Sequence, residues 1–578
     1  MQHKCHPAWW RHAVIYQVYP RSFQDSNADG IGDLRGILSR IDYIASLGVD
    51  TLWINPVFSS PGKDNGYDIS DYRSIQSEYG TMKDMEELIE AIHGKGLRII
   101  VDMVFNHTSE EHEWFRQART SRDNPFYAFY HWWPAEKGRP PYRCGFFDAA
   151  GEAWQYNAPT NSYYLHYFSR EQPDLNWENP DVRRELYAIL RFWLDKGMDG
   201  FRFDAITFIA KDTSWPEITP ETLKNKYEDD WGHYYASAPH LHDYLKEMRR
   251  ETRGNVPGMP AGRDNAGPEI LLLGEAPGIS AEQALLFVGE DRGEFDLISH
   301  FDGMVLGLVP GEYRKPDPNG YSRPELKRVY TTWTDMFREK GWGTLYLGSH
   351  DQPRMVSRWG DDHGDYRFTS AKLLLTFLLT MRATPILFNG DELGMRNIGF
   401  TSIDEYRDIE TLQNYQRIKA GGGDPEAFLR DQQLAGRDNG RTPFQWTPGP
   451  LAGFTTGVPW LSINADHPSV NRETEEADPD SVLNYTRKLL RIRRQYPALT
   501  AGDFYLLNHD KSPVFAYTRS LERTTIAILL NFSGNPVNFS AVQPSPSLSH
   551  ILINNYTMVN RTRGGVELAP WQALVFRC

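Results

Sequence analysis

The stretch Gly200-Phe201-Arg202-Phe203-Asp204-Ala205 places a guanidinium two residues before a carboxylate. On a β-strand, residues two apart share a face, so Arg202 and Asp204 point the same way. A nearby positive charge favours the charged form of a carboxyl group, and an ionised carboxylate can attack carbon as a nucleophile. The competing reading is a buried structural ion pair. Company decides between them, because Asn106-His107, Glu275 and His350-Asp351 also end otherwise apolar runs. Three carboxylates, two histidines and an arginine gathered at one mouth suit the cleavage of an acetal. That reaction needs one acid at the leaving oxygen and a second group at the anomeric carbon. Asp204, beside Arg202, is expected to stay ionised and attack. Glu275 follows the apolar run Ile270–Leu273 and a glycine, surroundings that raise its pKa toward that of a working acid. Asp351 is then free to stabilise an oxocarbenium-like transition state.

The elements that must position these groups follow from periodicity. Val14–Tyr19, Val49–Val57 and Leu97–Val104 read as buried strands, separated by helical patterns at 34–44 and 85–92. The last of the three is a nearly continuous apolar run, as in a parallel sheet covered on both faces. A stretch rich in Trp, Tyr and Pro interrupts the alternation from about 106 to 176. Strands are predicted again at 199–205, 270–276, 296–301, 344–347 and 385–388, with a last helix over 482–492. Eight strand–helix units describe a (β/α)8 TIM barrel, whose chemistry sits at the C-terminal ends of its strands. Short alternating runs after Gly502 predict a C-terminal antiparallel β-sandwich. The expected domains are a barrel of 1–105 and 177–501, an inserted subdomain of 106–176 after strand 3, and a sandwich of 502–578.

The segment 25–33 sets Asp25, Asn27, Asp29 and Asp33 at the first, third, fifth and ninth positions of a loop, with Gly30 at the sixth and the Ile31 carbonyl at the seventh. This is the ligand spacing of a calcium loop, lacking the glutamate at the twelfth. A structural Ca2+ is expected there, with Mg2+ as the alternative; an acidic turn capping the next helix is the competing reading.

The quoted segments identify a family. DMVFNH (102–107), GFRFDA (200–205), GEA (274–276) and SHD (349–351) make the chain resemble the α-amylase family of retaining glycoside hydrolases. GYDISDY (66–72), QPDLN (172–176), FNGDELG (388–394) and GRDNGRTPFQW (436–446) are similar to its oligo-1,6-glucosidase and α-glucosidase branch. The resemblance implies Asp204 as nucleophile, Glu275 as acid/base and Asp351 as transition-state stabiliser. It implies that Tyr67, His107, Arg202 and His350 line the subsite for a non-reducing glucose. Asp68 and Arg437, with Arg441, would close that pocket, so the expected action is exo, on disaccharides and short oligosaccharides. In this branch valine after the nucleophile accompanies α-1,6 preference; Ala205 leans toward α-1,4 or sucrose-like substrates. On a strand its side chain would point away from that of Asp204, acting through the pocket wall. The alternatives are an oligo-1,6-glucosidase and a sucrose isomerase or transglycosylase. Sucrose isomerases carry Arg-Leu-Asp-Arg-Asp after the sixth strand, where this chain reads Val305–Pro310. A non-catalytic transporter heavy chain is the remote alternative, disfavoured by three intact carboxylates and the lack of a membrane-length apolar run.

Composition fits an ordinary soluble globular protein. A net charge of −14 argues against nucleic-acid or anionic-membrane partners. Cys5, Cys144 and Cys578 are too few and scattered for a disulfide framework or a zinc site. The chain shows no signal peptide, so a cytoplasmic monomer or weak homodimer is expected.

Overall fold

Eight parallel strands carry the site: β1 (Ile15–Val18), β2 (Thr51–Ile54), β3 (Arg98–Val104), β4 (Gly200–Asp204), β5 (Leu271–Ala276), β6 (Leu297–His300), β7 (Thr344–Leu345) and β8 (Thr384–Phe388). The computed structural model describes residues 8–147, 151–219, 221, 235–253, 269–508, 512–540, 550–563 and 565–578; Cys5 lies outside them. The sheet runs β6-β5-β4-β3-β2-β1-β8-β7, each strand laddered to the next. Side chains close the β6–β7 joint, with Ser299 Oγ 2.9 Å from Thr344 Oγ1 and the Tyr346 hydroxyl donating to the His300 carbonyl at 2.8 Å. The (β/α)8 barrel expected from the sequence is present, with β7 two residues long rather than four.

Alternation along the strands sorts what faces inward. Ile15, Ile100, Leu271, Leu273, Leu297 and Ile386 pack with Trp53 in one apolar cluster. Two residues further along, the same faces carry Gln17, Asp102 and Glu275, so each strand changes from apolar to polar toward its C-terminal end. The ladder pairs Asp102 with Arg202 and Val104 with Asp204, which fixes the height of these groups in the barrel. Gly200 stands at φ 157, and a Cβ there would meet the Leu271 carbonyl oxygen at 2.1 Å. A side chain at this position would force β4 and β5 apart.

The helix before β4, Pro180–Asp195, is capped by Asn179, whose side chain accepts from the Asp181 amide; proline follows at the first helical position. Its buried stripe of Val182, Leu186, Ile189, Leu190 and Trp193 seats it on the sheet. Between β3 and β4 in the chain lies a three-stranded antiparallel sheet of Trp132–Pro134, Ser162–Leu165 and Trp154–Asn157. A two-stranded ribbon, Phe58–Ser59 with Asp71–Ile75, was not legible in the sequence.

At the C-terminus, a five-stranded antiparallel sheet packs on a three-stranded one through Ala516, Ala527, Leu529, Phe539 and Leu574. Its other face meets the barrel helix Arg367–Thr380, where the Phe377 and Phe515 rings lie 5.5 Å apart. Both faces of the larger sheet are therefore covered. No helix among the described residues is long and apolar enough to cross a membrane.

Candidate active site

The acids meet around Arg202. Its guanidinium lies 2.8 Å from Asp204 Oδ1, 2.6 Å from Glu275 Oε1 and 2.7 Å from Asp102 Oδ1. Arg202 is buried behind the main cavity, where it lines a small recess with Glu275, His350 and Asp351. Asp102 was passed over in the sequence because it sits within an apolar strand, yet alternation sets it on the inward face beside Arg202.

One cation serving three buried carboxyls cannot hold all of them ionised. Burial pushes Glu275 up to about 8, and the charges of Asp204 and Asp351 add to the rise that Arg202 opposes. Burial likewise raises Asp102 to about 7. Asp204 is also raised by burial, against the pull of Arg202. This corrects the expectation that Arg202 alone fixes Asp204 as a carboxylate: the guanidinium is shared three ways. Glu275 has the character of a proton donor at neutral pH.

Asp351 is the opposite case. Burial would raise it, but His350, Arg437, Arg441 and Arg314 together hold its carboxyl well below the usual range. Arg437 Nη1 sits 2.9 Å and Arg441 Nη2 3.3 Å from its Oδ1. Burial holds His350 neutral, down at about 3. The Gln17 side-chain amide donates to His350 Nδ1 at 2.8 Å, so Nε2 carries the ring proton, 2.6 Å from the Tyr67 hydroxyl and 3.1 Å from Asp351 Oδ2. Tyr67 in turn donates to Asp102 Oδ2 at 2.9 Å, and its ring stacks on His350.

A cavity of about 210 Å³ opens above these groups. Asp204, Glu275, Asp351, Tyr67, His107, His350 and Arg437 line it, joined by Asp64, Arg314 and Glu410. Phe146, Phe147, Phe168, Phe208, Phe301 and Met304 supply apolar walls. Asp68 is not among them: its carboxylate accepts from Ser60 Oγ and the Lys63 and Asp64 amides at 2.9–3.0 Å. Asp64, four residues earlier, takes the wall position, with Arg437 Nη2 3.9 Å from its Oδ1. The turn preceding Gly66-Tyr67 reverses the chain, so the first acid of DNGYD reaches the cavity while the second ties the loop. Arg441 is also off the wall; its Nε donates to the His350 carbonyl at 2.8 Å. Asp408, unread in the sequence, anchors Arg437 through Nε at 3.0 Å and caps the helix Ile409–Ala420.

Strand β4 ends at Asp204. Ala205 turns into the left-handed region (φ 41, ψ 42), lines the cavity itself, and donates its amide to Glu275 Oε2 at 3.0 Å. The expectation that its side chain points away along a strand fails because the strand stops one residue earlier.

In the 25–33 loop, Asp25 accepts from the amides of Asn27, Ala28 and Gly30 at 2.8–2.9 Å and from the Thr455 hydroxyl. Asn27 Oδ1 and Asp29 Oδ1 accept from the Asp29 and Ile31 amides. Asp33 caps the helix that starts at Leu34, through the Gly36 amide at 2.7 Å. No cluster of three or more His, Cys, Asp or Glu side chains among the described residues could hold a metal ion. The folded loop is held together by these amides and by the Thr455 hydroxyl, with Asp25, Asn27 and Asp29 all turned onto the loop's own backbone.

An eight-stranded barrel with three acids, one arginine and a polar-and-aromatic cavity at its mouth defines a glycoside hydrolase. Residues 17–502 match the alpha amylase catalytic domain, and the chain belongs to the alpha-amylase family. It is 42% identical to an oligo-1,6-glucosidase of Parageobacillus thermoglucosidasius, over 98% of this chain and 99% of that protein. It is 39% identical to an alpha-glucosidase of Pediococcus pentosaceus at the same coverage. The structure of an isomaltulose synthase from Klebsiella sp. LX3 superposes with a TM-score of 0.92 at 39% identity, covering 99% of this chain and all of that one.

Proposed function

We propose that the protein is a retaining, exo-acting α-glucosidase that removes the terminal non-reducing glucose from disaccharides and short oligosaccharides. The observation that carries this reading is Asp64 facing Arg437 across the wall of the cavity that holds Asp204, Glu275 and Asp351. Burial pushes Asp64 up to about 8 against the pull of Arg437, and the carboxyl and guanidinium together present donors and acceptors to the far hydroxyls of one glucose, in keeping with an end-on substrate. Asp204 attacks the anomeric carbon while Glu275 delivers its proton to the leaving oxygen; water then releases the glucose with Glu275 as base. Ionised Asp351 offsets the developing positive charge.

Ala205 supports an α-1,4 or sucrose-like linkage. The oligo-1,6-glucosidase relatives support a second reading, α-1,6. An isomerase reading has the solved neighbours on its side, and the uncharged Val305–Pro310 segment against it. Product analysis on maltose, isomaltose and sucrose tests the set. Glucose released faster from maltose than from isomaltose supports the first reading; the reverse order overturns it, and isomaltulose from sucrose would establish the third.

Ala205→Val is expected to shift the ratio of kcat/KM toward isomaltose by roughly tenfold, because two methyl groups enter the cavity beside the nucleophile. A β-branched residue in the left-handed region is strained, so the variant should also melt lower, by an equivalent of about 1–3 kcal/mol. An unchanged ratio with a lowered melting temperature would leave Ala205 a purely structural residue.

The calcium reading of residues 25–33 rests on spacing, and we carry it as a separate proposal. Dialysis against a chelator should then strip one metal per chain and lower the melting temperature. An unaltered melting curve with no metal released leaves the loop a self-bonded acidic turn.

A further inference from the structure

The far end of the barrel holds a second cavity, of about 330 Å³. Its wall is made where strands begin. Val14 and Asp50 precede β1 and β2, and Arg98 opens β3. Arg493 and Arg494 come from the last turn of the helix Val482–Gln495, and Trp9 and His12 from the N-terminal segment. The cavity is therefore separated from the catalytic acids by the full height of the barrel.

Its charge balance is unusual for a protein of net charge −14. Three arginines face one aspartate. Asp50 is already engaged, accepting from the Val14 amide at 2.8 Å and from Arg494 at 3.0 Å. Arg493 is buried and donates to the carbonyls of Leu379, Leu499 and Ala383, none of which neutralises it, while among the described residues its Nε has no hydrogen-bond partner. Arg98 stacks over the Trp9 ring at 4.2 Å, and among the described residues its guanidinium has no carboxylate partner. His12, 3.1 Å from Thr500 Oγ1, is held down by burial and by the charges of Arg493 and Arg11. Arg493 is thus a buried cation with no carboxylate in ion-pair range among the described residues, and half-buried Arg98 adds a second beside it, whereas buried charges are otherwise paired. Guanidinium groups offer the forked donors that match phosphate oxygens.

We propose that this basal cavity is a binding site for a phosphoryl group, held by Arg98, Arg493 and Arg494, with the space beside it able to take a sugar attached to that phosphate. Arg494, at the exposed rim, places Nη2 on the Gly48 carbonyl and on Asp50 and leaves its other guanidinium nitrogens for the ligand. The Trp9 ring holds Arg98 in place from behind and adds an apolar surface for the rest of the ligand. Such a site couples to stability rather than to the chemistry of the mouth.

The test is thermal melting of the full chain in phosphate, glucose 6-phosphate or glucose, at ionic strength fixed with chloride, for the natural protein and an Arg98→Gln/Arg494→Gln double variant. Both positions lie outside the catalytic machinery, so the variant retains turnover. In the natural protein the melting temperature should rise saturably with phosphate or with glucose 6-phosphate, and the variant should lose the rise. A larger rise with glucose 6-phosphate identifies a sugar phosphate as the occupant, and an equal rise identifies the free anion. No rise beyond the chloride control, or the same rise in the variant, overturns the proposal. A rise with glucose alone that matches glucose 6-phosphate in both proteins places the binding at the catalytic mouth and overturns it too.

Discussion

Asp204→Asn is expected to lower turnover about 10⁴-fold or more, and Glu275→Gln about 10²–10⁴-fold, with little change in melting temperature. The fold tolerates both because each substitute is isosteric, and the Arg202 guanidinium keeps Asp102 as a partner in either variant. The two losses differ in kind. Without its nucleophile the enzyme fails on every substrate. Without its acid it fails most where the leaving group needs a proton, so Glu275→Gln should lose far less on p-nitrophenyl α-glucoside than on maltose. The natural enzyme works with Glu275 protonated, and burial pushes that group up to about 8. kcat/KM should therefore fall as pH rises through about 8, as one macroscopic step of the coupled carboxyl set. The Glu275→Gln variant should lack that limb. An equal loss on both substrates would remove Glu275 from the role of acid.

Arg202→Met is expected to be the most damaging single change to stability. It leaves Asp102, Asp204 and Glu275 buried together without their cation, and such losses cost about 3–5 kcal/mol. The sign with pH follows from linkage. Removing the cation raises the folded-state pKa of each acid further above its unfolded value near 4. Groups raised in this way contribute stability below about pH 4 that is lost as pH rises through the folded values. The difference in melting temperature between natural protein and variant should thus be small at pH 4–5 and widen toward pH 8. Turnover should fall by at least the roughly 10²–10³-fold seen when one preorganised electrostatic group is removed. A difference in melting temperature independent of pH would mean that Arg202 acts through packing alone.

How far the sequence led depends on what each residue was read from. The strands were legible because burial on both faces leaves continuous apolar runs, and the acids stood out as polar ends to those runs. Asp102 did not, since a single polar residue inside an apolar strand looks the same whether it faces barrel or helix. Asp68 and Asp64 were exchanged because a turn decides which of two nearby acids reaches the cavity, and the segment has no periodicity to show its direction. Ala205 was misplaced by one residue, where the strand ends in a left-handed step. Arg314, Glu410 and Asp408 come from irregular segments, and what brings them to the mouth is tertiary: Arg314 Nη1 donates to the Asp351 carbonyl at 2.9 Å. The calcium spacing was legible, but not that Asp25 also ties the loop through three amides.

The measurement that bears most directly on the central claim is the anomeric configuration of the first glucose released, followed by proton NMR before mutarotation. Two carboxyls held on the two ends of one guanidinium are expected to stand roughly 5–5.5 Å apart, the separation of a retaining enzyme. Hydrolysis of p-nitrophenyl α-glucoside, whose only glucose is the transferred one, should then yield α-glucose first, with the β-anomer growing in only as mutarotation proceeds. Initial release of β-glucose would mean direct attack by water, and would contradict Asp204 as the nucleophile.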